Sequence, residues 1–451
     1  MLKKLLMALA VALGGVAGPA VSQAVNVINI EEGTARPFPI AIPDFNAKPG
    51  TEDLALQISE VVRNDLVSTG LFRTIDPSAF IQRDVSISVQ PRFADWRIVQ
   101  ADALSIGETE ILPDGRLSVS FRLWDVNGEE VYRLNGQAGR RLTTTPDNWR
   151  RMAHKVADSI YTRLTGESGI FDTRVVYIAE SGPKTARVKR LAIMDYDGAN
   201  QRFLTQGQHL VLTPRFSTSD QEITYMSYEG GRPRVYIFNI QTGRQEVLGN
   251  FPGMTFAPRF SPDGRSVVMS QAQNGNSDLF LMDLRSRQTR RLTDHPAIDT
   301  SPAMSPDGRQ IVFNSDRGGS PQLYIMNTDG SPLACPSGGR DVACRITFGR
   351  GQYSTPVWSP RGDLVSFTKQ IGGKFHIGVI GTDGEGERIL TEAYFAEGPA
   401  WSPNGRVITF FQEQAPGAGP ELWSVDLTGR NLRRIGTTTD ASDPAWSPLL
   451  D

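Results

Sequence analysis

The sequence predicts two domains: a small N-terminal α/β domain followed by a six-bladed all-β propeller closed by the C-terminal strand. Three observations carry that expectation. A Pro-x-aromatic-Ser-Pro-Asp-Gly motif recurs through the second half at a near-constant interval. Residues 34–170 contain two amphipathic helical patterns and no copy of the motif. The last copy stands at the C-terminus without the strands that should follow it, while the first set of such strands lacks the motif.

The chain opens on Lys3 and Lys4, an apolar run from Leu5 to Val16, and small residues flanking a cleavage box at Ser22-Gln23-Ala24. This is the pattern of a secretory signal peptide over residues 1–24, cut after Ala24. A retained anchor needs about 20 apolar residues, and this run stops at Gly18-Pro19. Losing two of 47 basic residues against 49 acidic ones leaves a mature charge of about −4. The mature protein is expected to be soluble and outside the cytoplasm.

Residues 25–33 follow. Val25, Asn26, Val27, Ile28, Asn29 and Ile30 alternate apolar and polar side chains, as a strand seeking an edge does. Two readings stay open: the first strand of the domain sheet, or a detachable arm that pairs with a partner.

Within the domain at 34–170, Ile40 to Phe45 reads as a strand. Asp53 to Thr69 reads as a helix, with Leu54, Ile58, Val61 or Val62, and Leu66 on one face and Gly70 as its stop. A β-rich stretch runs from Ala103 to Leu134, with turns at Pro113-Asp114-Gly115 and Asn127-Gly128. Trp149 to Leu164 reads as a second helix ended by Gly166, with His154 at its surface. The link from Glu167 to Asp172 is short, so the domains are expected to pack together.

The propeller is assigned to 171–451. Ser217, Ser261, Ser305, Ser359, Ser402 and Ser447 are spaced 44, 44, 54, 43 and 45 residues apart, each with a proline three residues earlier. A turn follows, with proline presetting φ and Asp-Gly or Asn-Gly accepting left-handed geometry. Two β-rich runs and an Arg-x-Leu-Thr-like strand complete a unit of four strands, one propeller blade. The large apolar residue before each serine (Phe216, Phe260, Met304, Trp358, Trp401 and Trp446) is expected in the core, because it keeps a fixed strand phase. Arg174–Ile178 and Leu191–Asp195 supply a blade whose inner strand is missing, and Pro444–Pro448 supplies that strand. The long interval holds an insert with Cys335 and Cys344, read as a disulfide across a hairpin in a secreted chain.

Composition excludes several classes. Basic and acidic residues nearly cancel, which argues against nucleic acid as a partner. Four histidines and two cysteines leave little material for a metal site, and none is assigned. No nucleophile elbow, phosphate loop or His-Glu-x-x-His stands in the chain. Asp195-Tyr196-Asp197-Gly198 reads as a hairpin turn rather than a calcium loop, since it lacks the closing glutamate. No catalytic residue, cofactor or later membrane span is expected. What remains is surface. The loops before the repeated prolines should rim one channel mouth with Thr255, Asp299, Thr300, Ser301, Ser354, Thr355, Glu397 and Asp443, a set of hydroxyls and acids suited to gripping a protein loop.

The order of domains, the segment TGESGIFDT ending at Thr173, the paired Ser-Pro-Asp-Gly-Arg units and the terminal Pro-Ala-Trp-Ser-Pro resemble the TolB family of the bacterial Tol-Pal system. The resemblance spans residues 25–451 and implies a non-enzymatic periplasmic scaffold serving outer-membrane integrity and constriction at cell division. It implies docking of the lipoprotein Pal on the rim, around Met254 and Thr300, and of TolA through residues 25–33, with coupling between the two sites and room for other envelope partners. The chain departs from some relatives at Met254, where those carry a histidine. The alternative reading is a peptide- or glycan-binding propeller related to those of peptidases.

Overall fold

The structure, a computed structural model, describes residues 28, 36–218, 221–249, 251 and 254–450. In the N-terminal domain the strand Phe38–Ala41 lies parallel between Phe72–Thr74 and Ala103–Ile111, and Leu117–Asp125 pairs antiparallel with the last of these. The first strand is shorter than expected and ends ahead of Pro43, which has no N–H to give a ladder. Alternate side chains feed two cores. Ile40, Val119, Phe121 and Leu123 face helices α1 (Glu52–Ser68) and α3 (Trp149–Thr165), whereas Ala41, Leu104, Ile106 and Trp124 face the short helix α2 (Phe93–Ile98) and its loop. Gly166 ends α3 in the left-handed region at φ 76°, where a side chain would be strained.

Six four-stranded antiparallel sheets make the propeller. In the first blade the C-terminal strand Asp440–Trp446 takes the innermost place, pairing with Arg174–Ser181, so the two ends of the propeller sequence meet in one sheet. In the repeated turns the serine does the local work. Ser261 Oγ donates to Asp263 Oδ1 at 2.6 Å and accepts from Ser266 N at 2.9 Å, and Ser305 and Asp307 repeat the arrangement. The hydroxyl and backbone donors hold both carboxyls below their ordinary range. In the fourth blade, Leu333–Ala334 and Arg340–Asp341 form an extra hairpin. Cys335 and Cys344 are bonded beside it, with Cα atoms 5.1 Å apart.

The two domains share one apolar core in which Ile58, Val62 and Tyr161 join Phe171, Tyr196, Leu422 and Trp446. The linker is pinned from both sides. Asp158 accepts the N–H groups of Phe171 and Asp172 at 2.9 and 3.0 Å, and Glu167 pairs with Arg361 and Arg406 of the propeller. The domains pack together, as the short link predicts.

Candidate functional site: the two faces of the propeller

In an antiparallel four-stranded blade, the first and third turns lie at one end and the second turn and the entry loop at the other. Every interdomain polar contact named here falls on the first end. Ser168 O accepts from Asn404 and Ser68 O from Asn431, while Arg150 reaches Asp195 and Asp197 in the third turn of the first blade. The N-terminal domain therefore covers part of that face. The entry loops, which carry the expected rim residues, form the opposite mouth.

That mouth has a repeated backbone device. All six inner strands carry a bulge at the motif proline, between Leu212 and Arg215, Phe256 and Arg259, Thr300 and Ala303, Ser354 and Val357, Glu397 and Ala400, and Ser442 and Ala445. The bulge accommodates a residue that cannot donate to the ladder. The residue before the proline is left-handed in five blades: Thr213 at φ 48°, Ser301 at 55°, Thr355 at 46°, Gly398 at 68° and Asp443 at 50°. Such conformations are uncommon for non-glycine residues and collect at functional positions. Some are held from a neighbouring blade: Ser301 N donates to Ser270 Oγ at 3.1 Å, and Thr213 N to Asp443 Oδ2 at 3.4 Å.

Of the expected rim residues, Thr300, Ser301, Ser354, Thr355, Glu397 and Asp443 lie partly exposed in this ring. Met254 and Thr255 begin the third blade's inner strand, pairing with Ala272 and Gln271. Asp299 departs from expectation. It is fully buried, with both oxygens on Arg317 Nη2 at 3.0 and 2.8 Å, because a carboxylate under the rim needs a paired cation. Asp299 thus supports the loop that presents Thr300. The sequence reading also missed two arginines one residue beyond the proline, Arg215 and Arg259, which enter the channel. Only the alignment of motif copies could have shown them, since the equivalent positions are Ala303, Val357, Ala400 and Ala445.

Burial, with the neighbouring charge of Asp443, pushes the Glu397 carboxyl up to about 7, against the opposing pull of Arg215. A folded value above the ordinary 4.5 favours the neutral acid in the native state. The resulting stabilisation is complete below about pH 4.5 and is lost as pH rises through about 7. Glu397→Gln is therefore expected to raise the melting temperature by a few degrees at pH 8 and to change it little at pH 5, read by thermal denaturation at both values.

At the interdomain end, His154 is a correction. It is 2% exposed rather than at the helix surface, because α3 is covered on a second face by α1 and the first blade. Its Nδ1 lies 2.7 Å from Asp65 Oδ2, and Tyr196 OH donates to Asp65 Oδ1 at 2.7 Å. Burial opposes charge on the imidazole, but Asp65, Asp197 and Asp195 outweigh it and push the pKa up to about 9. The channel at this end holds a cavity of about 370 Å³ lined by the motif aromatics. Phe260, Trp358, Trp401 and Trp446 are buried, as expected; Phe216 and Met304 are partly buried.

Of the N-terminal arm, Ile28 is described. Its side chain is buried in the shared core, and its N–H donates to Leu164 O at the end of α3, at 2.9 Å, rather than to a sheet strand. Val25, Asn26, Val27, Asn29 and Ile30 lie outside the described residues. No helix among the described residues is long and apolar enough to cross a membrane.

Domain order and a six-bladed ring closed by the C-terminal strand define a two-domain β-propeller protein. Residues 26–131 match the family model of the TolB amino-terminal domain, and residues 161–450 match that of the TolB beta propeller domain. The chain is 55% identical over 442 residues to the Tol-Pal system protein TolB of Paramagnetospirillum magneticum, covering 97% of this chain and 96% of that one. The crystal structure of TolB from Acinetobacter baumannii superimposes with a TM-score of 0.79 at 28% identity, covering 92% of this chain and 97% of that chain. The chain belongs to the TolB family.

Proposed function

We propose that this protein is a non-enzymatic periplasmic scaffold of the Tol-Pal system that docks Pal on the open propeller mouth and TolA through residues 25–33. The observation that carries the reading is the separation of the two faces. The N-terminal domain occupies one end of the propeller and leaves the ring of left-handed positions, three of them hydroxyl residues, at the other. Ile28, the described residue of the arm, supports the second half of the proposal, because at that position the arm bonds to the end of α3 and is not a strand of the domain sheet. Residues such as Thr300 and Ser354 can give and accept hydrogen bonds from a docked loop, and the carboxyl groups of Glu397 and Asp443 add further polar partners.

A glycan-binding reading would want exposed aromatic platforms. The tryptophans at the other mouth are only 7–9% exposed, so they offer none.

Two outcomes follow from the site map. Thr300→Arg is expected to weaken Pal binding at least tenfold, about 1.4 kcal/mol, with the melting temperature nearly unchanged. A large fall in melting temperature would mean that the position belongs to the core. Deleting 25–32 is expected to abolish TolA binding, measured by calorimetry, while the propeller keeps its circular-dichroism spectrum. Retained TolA affinity would contradict the arm assignment.

A further inference from the structure

The interdomain cluster holds an arrangement that the scaffold function does not use. We infer that His154, Asp195 and Asp197 form a site for a divalent transition-metal ion, best suited to zinc, that ties α3 to the first blade. One ligand atom from each of the three residues lies within 4.8 Å of the others. His154 Nε2 is buried and has no hydrogen-bond partner, which for a polar atom in the interior calls for a ligand. Its other ring nitrogen is held by Asp65 at 2.7 Å, and Asp65 is itself fixed by Tyr196 OH at 2.7 Å. A carboxylate behind the distal nitrogen is what orients a ligating imidazole and raises its basicity.

The donor set and the charge agree on the kind of ion. One imidazole nitrogen with two carboxylates suits zinc, with a fourth position left for water. Calcium prefers an all-oxygen shell. Three carboxylates, Asp65, Asp195 and Asp197, meet here with the Arg150 guanidinium, which contacts Asp197 and lies 3.6 Å from Asp195 Oδ2. The carboxylates favour a cation here; the proton that they hold on His154 is one, and a divalent ion would displace it from the ring nitrogen. Arg150 is a competitor for the same carboxylates, and its side chain reaches solvent at the edge of the cluster.

The test uses the untagged mature chain, stripped with EDTA and dialysed. Zinc chloride is titrated in by calorimetry, and cobalt(II) chloride is added in parallel and followed by visible absorption. One equivalent of zinc should bind, and cobalt should give an intense d–d band of low coordination number at the same stoichiometry. Asp197→Asn alters a half-buried turn residue and should weaken zinc at least tenfold. Arg150→Gln removes the competing cation and should tighten it. Circular dichroism checks that both variants remain folded. Absence of stoichiometric uptake, uptake unaffected by Asp197→Asn, or weaker binding in Arg150→Gln would each overturn the site.

Discussion

A chain ending at Thr439 is expected to lose the cooperative unfolding transition of the propeller. The strand Asp440–Trp446 is the inner strand of the first blade, and its ladder to Arg174–Ser181 joins the two ends of the propeller sequence. Its removal also takes Trp446, which is buried, donates through Nε1 to Thr173 Oγ1 at 2.7 Å and stacks on Tyr196. A buried tryptophan cut to alanine costs about 3–5 kcal/mol by itself. A domain is held by roughly 5–15 kcal/mol, so losing the residue together with its strand should exceed what the ring can absorb. A chain ending at Pro448 retains the strand and Ser447, whose N–H donates to Arg174 O at 2.8 Å, and should melt within about 1 kcal/mol of the full chain. Calorimetric scans of the two truncations separate closure from mere shortening. A Thr439 chain with a sharp transition near that of the full-length protein would show that the ring does not depend on its last strand.

The second large effect is expected at Asp65. Asp65→Ala removes the hydrogen-bond acceptor of Tyr196 and the carboxylate partner of His154 together, inside a core shared by both domains. Breaking a buried pair leaves the remaining group desolvated without compensation, at a cost of about 3–5 kcal/mol. Denaturant unfolding of Asp65→Ala and of Tyr196→Phe distinguishes the contributions. The tyrosine variant loses the bond to Asp65 and the longer 3.3 Å bond to Ser68 Oγ but keeps the Asp65–His154 pair, and should fall by only about 1–2 kcal/mol. Equal losses in the two variants would mean that the Asp65–His154 contact contributes nothing.

The propeller was legible because its unit is periodic and its punctuation chemical. A proline three residues before each serine, followed in three copies by an Asp-Gly or Asn-Gly turn, marks six inner strands even where the strands differ. Ring closure was legible for the same reason, since Pro444 to Pro448 is a motif copy without a following blade. The bulge ring was not. Its left-handed positions are occupied by Thr213, Ser301, Thr355 and Asp443 as well as by Gly398, so residue type gives no signal there, and the bulge becomes visible only in the pairing register. The two misplaced polar residues share a cause. Asp299 stands in an entry loop and His154 on a helix, places that suggest surface, but each is buried against a partner that local spacing does not reveal: Arg317, 18 positions away, and Asp65, 89 positions away. Helix α3 shows why such a partner is hard to see. Its apolar spacing marks the face toward the sheet, while a second buried face carrying Ala153, His154, Ala157 and Tyr161 is covered by elements distant in sequence. The candidate metal ligands are scattered in the same way, one on a helix and two on a blade turn, so no spacing motif joins them.

On the proposed function, the open propeller mouth receives Pal and the N-terminal arm receives TolA. The most direct test is calorimetric titration of the mature protein with the Pal periplasmic domain of the same organism, with and without residues 25–32. Saturable one-to-one binding by the full mature chain is expected, with a changed affinity when the arm is removed. Failure of Pal to bind either form would contradict it.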